Sequence, residues 1–409
     1  MRFIHASDLH LGRSFTGLGE KGNVLRQALL DSLKRTLDLA EENGADFVVI
    51  AGDLFDSNQV SRKLVDTVLG MFREIAPIKV FVLPGTHDLL DEGSVYLGQG
   101  FEKADNVRVF GVHGNTFRVG EVAVHGRAND TKGGGVRPLA ELSPDPETRY
   151  NVAVAHASLE IEGRSNPDDY LVSLEEIERS GMDYVALGHW HRSADYSAGR
   201  TVAWYSGSPQ PLGFCEEGAG KALLVELKEP DRHVPGGKDE GSGDKARGGG
   251  ARGKGGFRAT VTPLEIRRYS WMVRRIDLGE LLGKATGSGT LDVLEALEKR
   301  LREWAGGKEG ELLLRVELRG LLPRGIQLDL EEMTEGLRDR FFHLEIRDAG
   351  IAYPLEGLED LFPEGTAGYH YVRHLKALIE GERDERKREI LEEALYLGAH
   401  YLAGRLEVR

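Results

Sequence analysis

The chain has 409 residues, with 53 Lys and Arg against 67 Asp and Glu, and its formal net charge is −14. At ~150 residues per domain this length predicts two to three domains, and 40% hydrophobic with 29% charged residues excludes a wholly disordered protein. No apolar run approaches ~18 residues, which argues against a membrane span, and the acidic balance argues against a general nucleic-acid binder.

The first ~90 residues, and further stretches up to residue 205, follow the pattern of strands alternating with helices. Leucines recur every four residues between positions 25 and 37, which places them on one face of a helix. Continuous apolar strands between helices are typical of a sheet buried on both faces. Strands are predicted at residues 3–4, 47–51, 80–83, 151–155, 184–187 and 202–205, and a second helix over about 62–74.

Three segments follow this α/β core. Ten of the 21 residues from 236 to 256 are glycine, which predicts a flexible hairpin insertion between strands at 222–225 and 259–262. We therefore predict one domain over 1–268, a small α+β domain over 269–350 and a helical segment over 351–409. The last helix carries an apolar stripe, which packs either on its own domain or on a partner.

Clusters of carboxylates and imidazoles follow the predicted strands. In open α/β sheets, ligands gather beyond the carboxyl ends of strands, so five such clusters in one chain predict a metal site. A mixed His and Asp shell favours Mn²⁺, Fe²⁺ or Zn²⁺ over Mg²⁺ or Ca²⁺. The clusters are Asp8-x-His10, Gly52-Asp53-x-x-Asp56, Gly85-Thr86-His87-Asp88, His156 and Gly188-His189-x-His191.

Two metal ions require a shared anionic ligand, and Asp53 is placed to bridge them. Ions roughly 3.5–4 Å apart can hold the attacking oxygen and the phosphoryl oxygen together, and both offset the charge that develops on phosphorus. Asp56 is expected to anchor the loop that follows Asp53 rather than to bind metal.

The clusters resemble those of the calcineurin-like metallophosphoesterases, whose pattern is D-x-H, G-D-x-x-D, G-N-H-D/E, a lone His and G-H-x-H. The resemblance covers roughly residues 1–215. Within this superfamily, the runs at 7–13, 52–56 and 205–208 look like the SbcD-type DNA repair nuclease subunit. The resemblance implies a two-sheet β-sandwich core flanked by helices, followed by a small α+β capping domain and C-terminal helices.

The resemblance also implies a role for each matching residue. It places Thr86 at the ligand position where the family has Asn, and it gives His87 the task of stabilising or protonating the leaving oxygen, with Asp88 orienting it. The metal ligands it implies are Asp8, His10 and His191 for the first ion, His156 and His189 for the second, and Asp53 between them. The expected cofactors are two divalent ions, with Mn²⁺ preferred and Fe²⁺ or Zn²⁺ as alternatives.

Thr86 is a departure from the family pattern. A hydroxyl is a poorer metal ligand than an amide carbonyl, so we expect the second ion to bind more weakly while the two-metal arrangement survives. Reduced activity, a changed metal preference and loss of nuclease activity all remain open.

The implied function is a metal-dependent DNA phosphodiesterase in repair, with 3′-to-5′ exonuclease and single-strand endonuclease action. The implied partners are DNA, an SbcC-like coiled-coil ATPase and a second copy of the chain, without a membrane. Two alternatives remain open: a phosphoesterase for small substrates or nucleotides, and a weakly active or structural subunit of an ATPase complex.

Charge and cysteine content complete the prediction. Two carboxylates facing four positive charges would make the metal site locally near +2, and nine Lys and Arg against one acid between Lys245 and Arg275 form a basic strip. Because the whole chain is acidic, we expect much of the DNA affinity to come from the ATPase. The single cysteine, Cys215, cannot form an internal disulfide, and the acid at Asp8 interrupts a signal-peptide core, so a cytoplasmic location is expected.

Overall fold

The computed structural model describes residues 1–133, 135–161, 166, 169–216, 218–229, 258–282, 290–322, 328–352 and 355–403. The chain divides into two compact units, Met1–Ser270 and Trp271–Arg409. The predicted glycine-rich insertion at 236–256 lies outside the described residues. The separation of a capping domain from a partner-binding segment near residue 350 stays a prediction.

The first unit contains fourteen strands and three α-helices among its described residues. The helices are α1 (Lys21–Glu42), α2 (Arg62–Glu74) and α3 (Leu174–Arg179). The strands are β1 (Arg2–Ala6), β2 (Phe47–Ala51), β3 (Lys79–Leu83), β4 (Val107–Val109), β5 (Asn115–Val119), β6 (Val122–Gly126), β7 (Tyr150–His156), β8 (Ser158–Leu159), β9 (Leu171–Val172), β10 (Tyr184–Gly188), β11 (Ala194–Asp195), β12 (Val202–Tyr205), β13 (Lys221–Leu227) and β14 (Ala259–Glu265).

Twelve of these strands form two six-stranded sheets. The first has the order β14-β13-β1-β2-β3-β4 and the second the order β11-β12-β10-β7-β6-β5. Strands β1 to β4 are parallel in the first sheet, and β12, β10, β7 and β6 are parallel in the second. Their carboxyl ends therefore lie along one edge of each sheet, where the polar clusters follow. The predicted pairing across the insertion is confirmed, because β13 and β14 are antiparallel from Lys221 with Glu265 to Leu227 with Ala259.

The inner faces of the two sheets form one hydrophobic core, so this unit is the β-sandwich that was expected. Phe3 of β1 stacks on Phe47 of β2 with ring centroids 4.6 Å apart, and the edge of Tyr184 from the second sheet meets Phe3 at 5.4 Å. Helix α1 packs on β1 and β2 and buries its predicted leucine face, from Leu25 to Leu37. The first sheet is thus covered on its outer side, as the continuous apolar strands predicted.

The second unit is built on the sheet β15-β16-β17. Its strands are β15 (Ser270–Asp277), β16 (Leu312–Leu321) and β17 (His343–Ala352), and its helices are α4 (Leu278–Leu282), α5 (Thr290–Ala305), α6 (Leu330–Arg338), α7 (Ala367–Gly381) and α8 (Glu385–Leu402). The alternation predicted from Leu312 to Leu318 is confirmed by the burial of alternate residues against α5 and α6.

The C-terminal helices pack on this unit. Tyr396 of α8 is fully buried in the core formed by the sheet and its helices, and Tyr371 of α7 donates a hydrogen bond to the Ala394 carbonyl at 2.7 Å. Elsewhere on α8, Ile390 and Leu402 are about half exposed. The interpretation that α8 packs on its own domain is therefore correct for Tyr396, and partner binding stays a prediction. Among the described residues, no helix has the length and apolar character to cross a bilayer.

Candidate metal centre

The five predicted clusters meet at the carboxyl-terminal edges of the two sheets. Asp8 and His10 follow β1, Asp53 follows β2, and His87 follows β3, all in the first sheet. The second sheet contributes the remaining members, because His156 ends β7 and both His189 and His191 follow β10. Ligands from both sheets therefore face the same space.

A first cluster consists of Asp8, His10 and His191, whose ligand atoms all lie within 4.8 Å of one another. The Nε2 atoms of His10 and His191 are 3.3 Å apart. Two nitrogens that each lie about 2.1 Å from one ion can have this separation. The residues expected to hold the first ion are therefore brought together.

A second cluster consists of Asp8, Asp53 and His156, again within 4.8 Å. Oδ2 of Asp53 lies 3.3 Å from His156 Nε2 and 3.7 Å from His10 Nε2. One carboxylate oxygen thus stands between imidazoles of the two clusters, as a bridging ligand would. A third grouping joins His10, Asp53 and His87.

Thr86 and His189 lie at the margin of the second cluster. Thr86 Oγ1 is 3.5 Å from Asp53 Oδ2 and 3.4 Å from His156 Nε2. The His189 ring centroid is 5.2 Å from that of His156, and its backbone N–H donates to both carboxylate oxygens of Asp8 at 3.1 and 3.2 Å. His189 belongs to none of the three groupings within 4.8 Å.

His87 and Asp88 are arranged differently from the expectation. His87 is exposed, and its Nδ1 lies 3.1 Å from the Asp56 carbonyl. Asp88 is fully buried and accepts hydrogen bonds from the backbone N–H groups of Phe55 and Gly85 and from the Tyr96 hydroxyl. The expectation that Asp88 orients His87 is therefore corrected, because its carboxylate is occupied in joining the turns after β2 and β3.

Four of the candidate ligands have left-handed backbone conformations. The φ angles of Asp8, His10, Asp53 and His189 are 54°, 46°, 52° and 102°. This region costs an L-residue roughly 1–2 kcal/mol, and such strain concentrates at functional sites. These are the only non-glycine residues with positive φ in the described part of the chain, and all four are predicted ligands.

Three motif glycines allow the ligands to approach one another. A Cβ on Gly52 would lie 2.0 Å from His156 Nδ1, and a Cβ on Gly85 would lie 2.2 Å from Asp53 Oδ1. A Cβ on Gly188 would lie 1.8 Å from the Ala51 carbonyl oxygen, where the two sheets approach each other. The glycine that precedes each of these ligand turns is therefore a steric requirement.

The buried carboxylates give the site a negative potential. Burial opposes ionisation of Asp53, but His156, His10 and His87 together hold the pKa of this carboxyl well below its usual range. Burial likewise opposes protonation of His156, yet Asp53 and Asp8 raise its pKa to about 9. Burial and the neighbouring His156 charge lower the pKa of His189 to about 4. The site attracts positive charge, as a cation site requires.

Four residues that support the ligands were not predicted by sequence reasoning. Ser7 donates to the Asp8 carboxylate and contacts Ser206 at 2.8 Å, Glu216 Oε1 lies 2.9 Å from His191 Nδ1, and the Asn129 amide donates to the His156 carbonyl. The run at 205–208 was a signal for Ser206, since it contributed to the resemblance. Glu216 lies in an irregular loop 25 residues after its partner, where no spacing reveals it.

The donor set fits divalent metal. Two buried carboxylates and three imidazoles with Nε2 atoms directed at one another suit borderline ions rather than Mg²⁺ or Ca²⁺. A carboxylate or carbonyl oxygen within hydrogen-bonding distance of each Nδ1, as at His10, His156 and His191, leaves Nε2 free to bind metal.

Comparison with known proteins agrees with this chemistry. Residues 1–193 match the model of the calcineurin-like phosphoesterase family. The N-terminal part of the chain belongs to the calcineurin-like metallophosphoesterase superfamily. Such a phosphoesterase is a hydrolase that binds divalent metal.

Three curated relatives are similar to this phosphoesterase at comparable distances. The uncharacterized metallophosphoesterase YhaO of Bacillus subtilis strain 168 is 27% identical over 244 residues, or 56% of this chain and 58% of YhaO. The DNA double-strand break repair protein Mre11 of Methanopyrus kandleri is 28% identical over 253 residues, or 57% and 54%. A nuclease SbcCD subunit of B. subtilis is 24% identical over 271 residues, or 56% and 67%. The chain thus spans about half to two thirds of the length of these relatives.

The predicted basic strip lies partly outside the described residues, since 245–257 are not among them. Of its described members, Arg258 pairs with Asp183 and Arg267 with Glu265. Arg275 pairs with Glu317 and keeps 71% of its side chain exposed. These ion pairs reduce the positive charge that the strip offers to a polyanion.

Proposed function

We propose that this protein is a two-metal phosphodiesterase that cleaves DNA in repair, as the nuclease subunit of an SbcCD-like complex with a coiled-coil ATPase. The observation that carries the proposal is the position of Asp53, whose single oxygen lies between the imidazoles of two ligand clusters. In this proposal the first cluster holds one ion, and Asp53 with His156, His189 and Thr86 holds the other.

When bound, divalent ions would activate water and offset the negative charge of a phosphoryl group. The protein's own residues bind and orient the substrate. His87 is exposed beside the ligands, and the bond from its Nδ1–H to the Asp56 carbonyl leaves Nε2 available. In its protonated form this ring can donate a proton from Nε2 to the departing sugar oxygen.

Arginines of the second unit support a nucleic-acid substrate. Arg347 of β17 is opposite Glu317 of β16, and Arg275 of β15 pairs with the same carboxylate at 2.9 Å. The side chains of Arg275 and Arg347 are 71% and 55% exposed, so both can contact phosphates, which position a nucleic acid without reading its sequence. The names of the Mre11 and SbcCD relatives point in the same direction.

A phosphoesterase for small substrates is the second candidate. YhaO, which is described only as a metallophosphoesterase, is as similar to this chain as the Mre11 relative is. The chemistry of the metal centre is the same in both candidates, so substrate size separates them.

The test compares DNA cleavage with hydrolysis of a small chromogenic phosphodiester. Labelled duplex and single-stranded DNA are incubated with the full chain, with and without Mn²⁺, beside the variants Asp53→Asn and His87→Ala. We expect Mn²⁺-dependent DNA cleavage that both variants lose. Turnover of the small diester without DNA cleavage would favour the second candidate, and turnover of neither substrate would contradict the enzymatic proposal.

A further inference from the structure

The imidazoles of the two metal clusters have different partners behind them. In the first cluster, His191 Nδ1 lies 2.9 Å from the Glu216 carboxylate, and His10 Nδ1 lies 3.1 Å from the Asp56 carboxylate. In the second cluster, His156 Nδ1 lies 2.9 Å from a neutral backbone carbonyl, that of Ala51. The first cluster is therefore supported by two full negative charges, whereas the partner behind His156 is uncharged.

Glu216 is held firmly in this position. Its second oxygen accepts a hydrogen bond from the Leu212 N–H at 2.7 Å, and only 17% of its side chain is exposed. Both carboxylate oxygens are thus engaged, one on the ligand and one on the loop that presents the residue. A side chain fixed in this way holds the His191 ring in one orientation.

The loop before Glu216 is attached to the same cluster. The Ser208 N–H donates to the His191 carbonyl at 3.0 Å, and the Ser208 hydroxyl donates to the Asp8 carbonyl at 2.8 Å. Gly207 lies so close that a Cβ would be 2.5 Å from the His191 carbonyl oxygen. The segment from Ser206 to Glu216 therefore supports Asp8 and His191 together, and both belong to the first cluster.

From these contacts we infer that Glu216 is a positioning residue for His191, and that it makes the first cluster the tighter of two unequal metal positions. A carboxylate behind a histidine ligand fixes the ring and makes its free nitrogen a stronger donor, and losing such a partner typically lowers metal affinity about 10- to 100-fold. The inference rests on the proposed function for the assumption that both clusters bind metal.

The test measures Mn²⁺ binding to the full chain by calorimetry and by the electron paramagnetic resonance signal of free Mn²⁺. The wild type is expected to bind two ions in two separate steps. Glu216→Ala should weaken the tight step about 10- to 100-fold and leave the weak step nearly unchanged. Glu216→Gln should lose less affinity, since its amide oxygen still accepts the bond from Nδ1–H.

Glu345→Gln is the matched control, because Glu345 in the second unit also contacts a histidine, His343, at 3.2 Å and is also partly buried. Its binding curve should match that of the wild type. An unchanged tight step in Glu216→Ala, an equal loss in both steps, or a wild type that binds fewer than two ions would overturn the inference. If Glu216→Ala does not fold, Glu216→Gln must still show the selective loss.

The two proposals can fail separately. Two-step binding with the expected selective loss, but without cleavage of DNA or the small diester, would reject the proposed function and keep the role of Glu216. Cleavage of DNA by a chain whose tight step does not respond to Glu216→Ala would do the reverse.

Discussion

Thr86 occupies a ligand position with a weakly held side chain. Its hydroxyl oxygen is 3.5 Å from Asp53 Oδ2 and 3.4 Å from His156 Nε2, distances at the outer limit of a hydrogen bond. A hydroxyl here can turn towards an ion without breaking strong bonds, but it offers a poorer oxygen than an amide carbonyl. Together with the neutral partner of His156, this marks the second cluster as the weaker one.

Replacing Thr86 with Asn should therefore strengthen the second step of Mn²⁺ binding. A net polar contact is worth about 0.5–1.5 kcal/mol, and about 1.4 kcal/mol corresponds to tenfold in affinity, so a gain of up to about tenfold is expected. Calorimetric titration measures it, with Thr86→Ser as the control that should behave like the wild type. An Asn variant whose second step is no tighter than that of the wild type would contradict this prediction.

At the scale of single residues, the sequence predicted ligands better than it predicted their supports. Asp8, His10 and His191 follow strands directly, so their positions on the chain reveal that they meet. Asp88 stands next to His87 in sequence, but neighbouring side chains diverge, and its carboxylate turns instead to Phe55 and Gly85. Such contacts depend on how separate turns pack, which adjacency in the sequence does not encode.

At the scale of elements, the ligand turns can form only because the ends of neighbouring strands come very close. The turn after β3 lies against the turn after β2, where the N–H of His87 donates to Asp53 Oδ1 at 2.9 Å. Gly85 is not among the glycines with positive φ, so its role there is purely one of space. The apolar runs predicted β1, β2, β3, β7, β10 and β12, whereas the division into two sheets came from the family resemblance, because strand patterns do not encode which strands pair.

Gly85→Ala should disrupt the metal centre through this turn. The added methyl group would lie 2.2 Å from Asp53 Oδ1, and overpacking of this kind costs about 1–3 kcal/mol. We expect a lower melting temperature and a loss of Mn²⁺ binding. Both are measured by thermal denaturation and titration.

Gly70→Ala is the control for the added methyl group. Gly70 lies in α2 with open space around the position of a Cβ, so alanine should stabilise the helix by about 0.5–1 kcal/mol. The argument about space would be wrong if Gly85→Ala behaved like this control.

At the scale of the whole molecule, the ligands connect two sheets of one unit. The first sheet supplies Asp8, His10 and Asp53, and the second supplies His156 and His191. All of them lie in Met1–Ser270. An ion that binds the folded state but not the unfolded one stabilises the fold by mass action, by about 2.7 kcal/mol at a hundred times its Kd.

Mn²⁺ should therefore protect the first unit from hydrogen exchange. Peptides from β1, β2, β7 and β10 should exchange more slowly with Mn²⁺ than after chelation, whereas peptides from β15 to β17 should change little. Hydrogen-exchange mass spectrometry of the full chain measures both in one experiment. Equal protection in the two units would show that the ion acts elsewhere or through the whole chain.

The left-handed backbone at four of the candidate ligands sets stability against function. Glycine adopts this conformation without the penalty of roughly 1–2 kcal/mol that Asp8, His10, Asp53 and His189 each carry. Glycine at these positions would remove ligands and yet relax the metal-free backbone. A chain selected for stability alone would thus lose its ligands first, and design programmes that seek a more heat-resistant variant must hold these four positions constant.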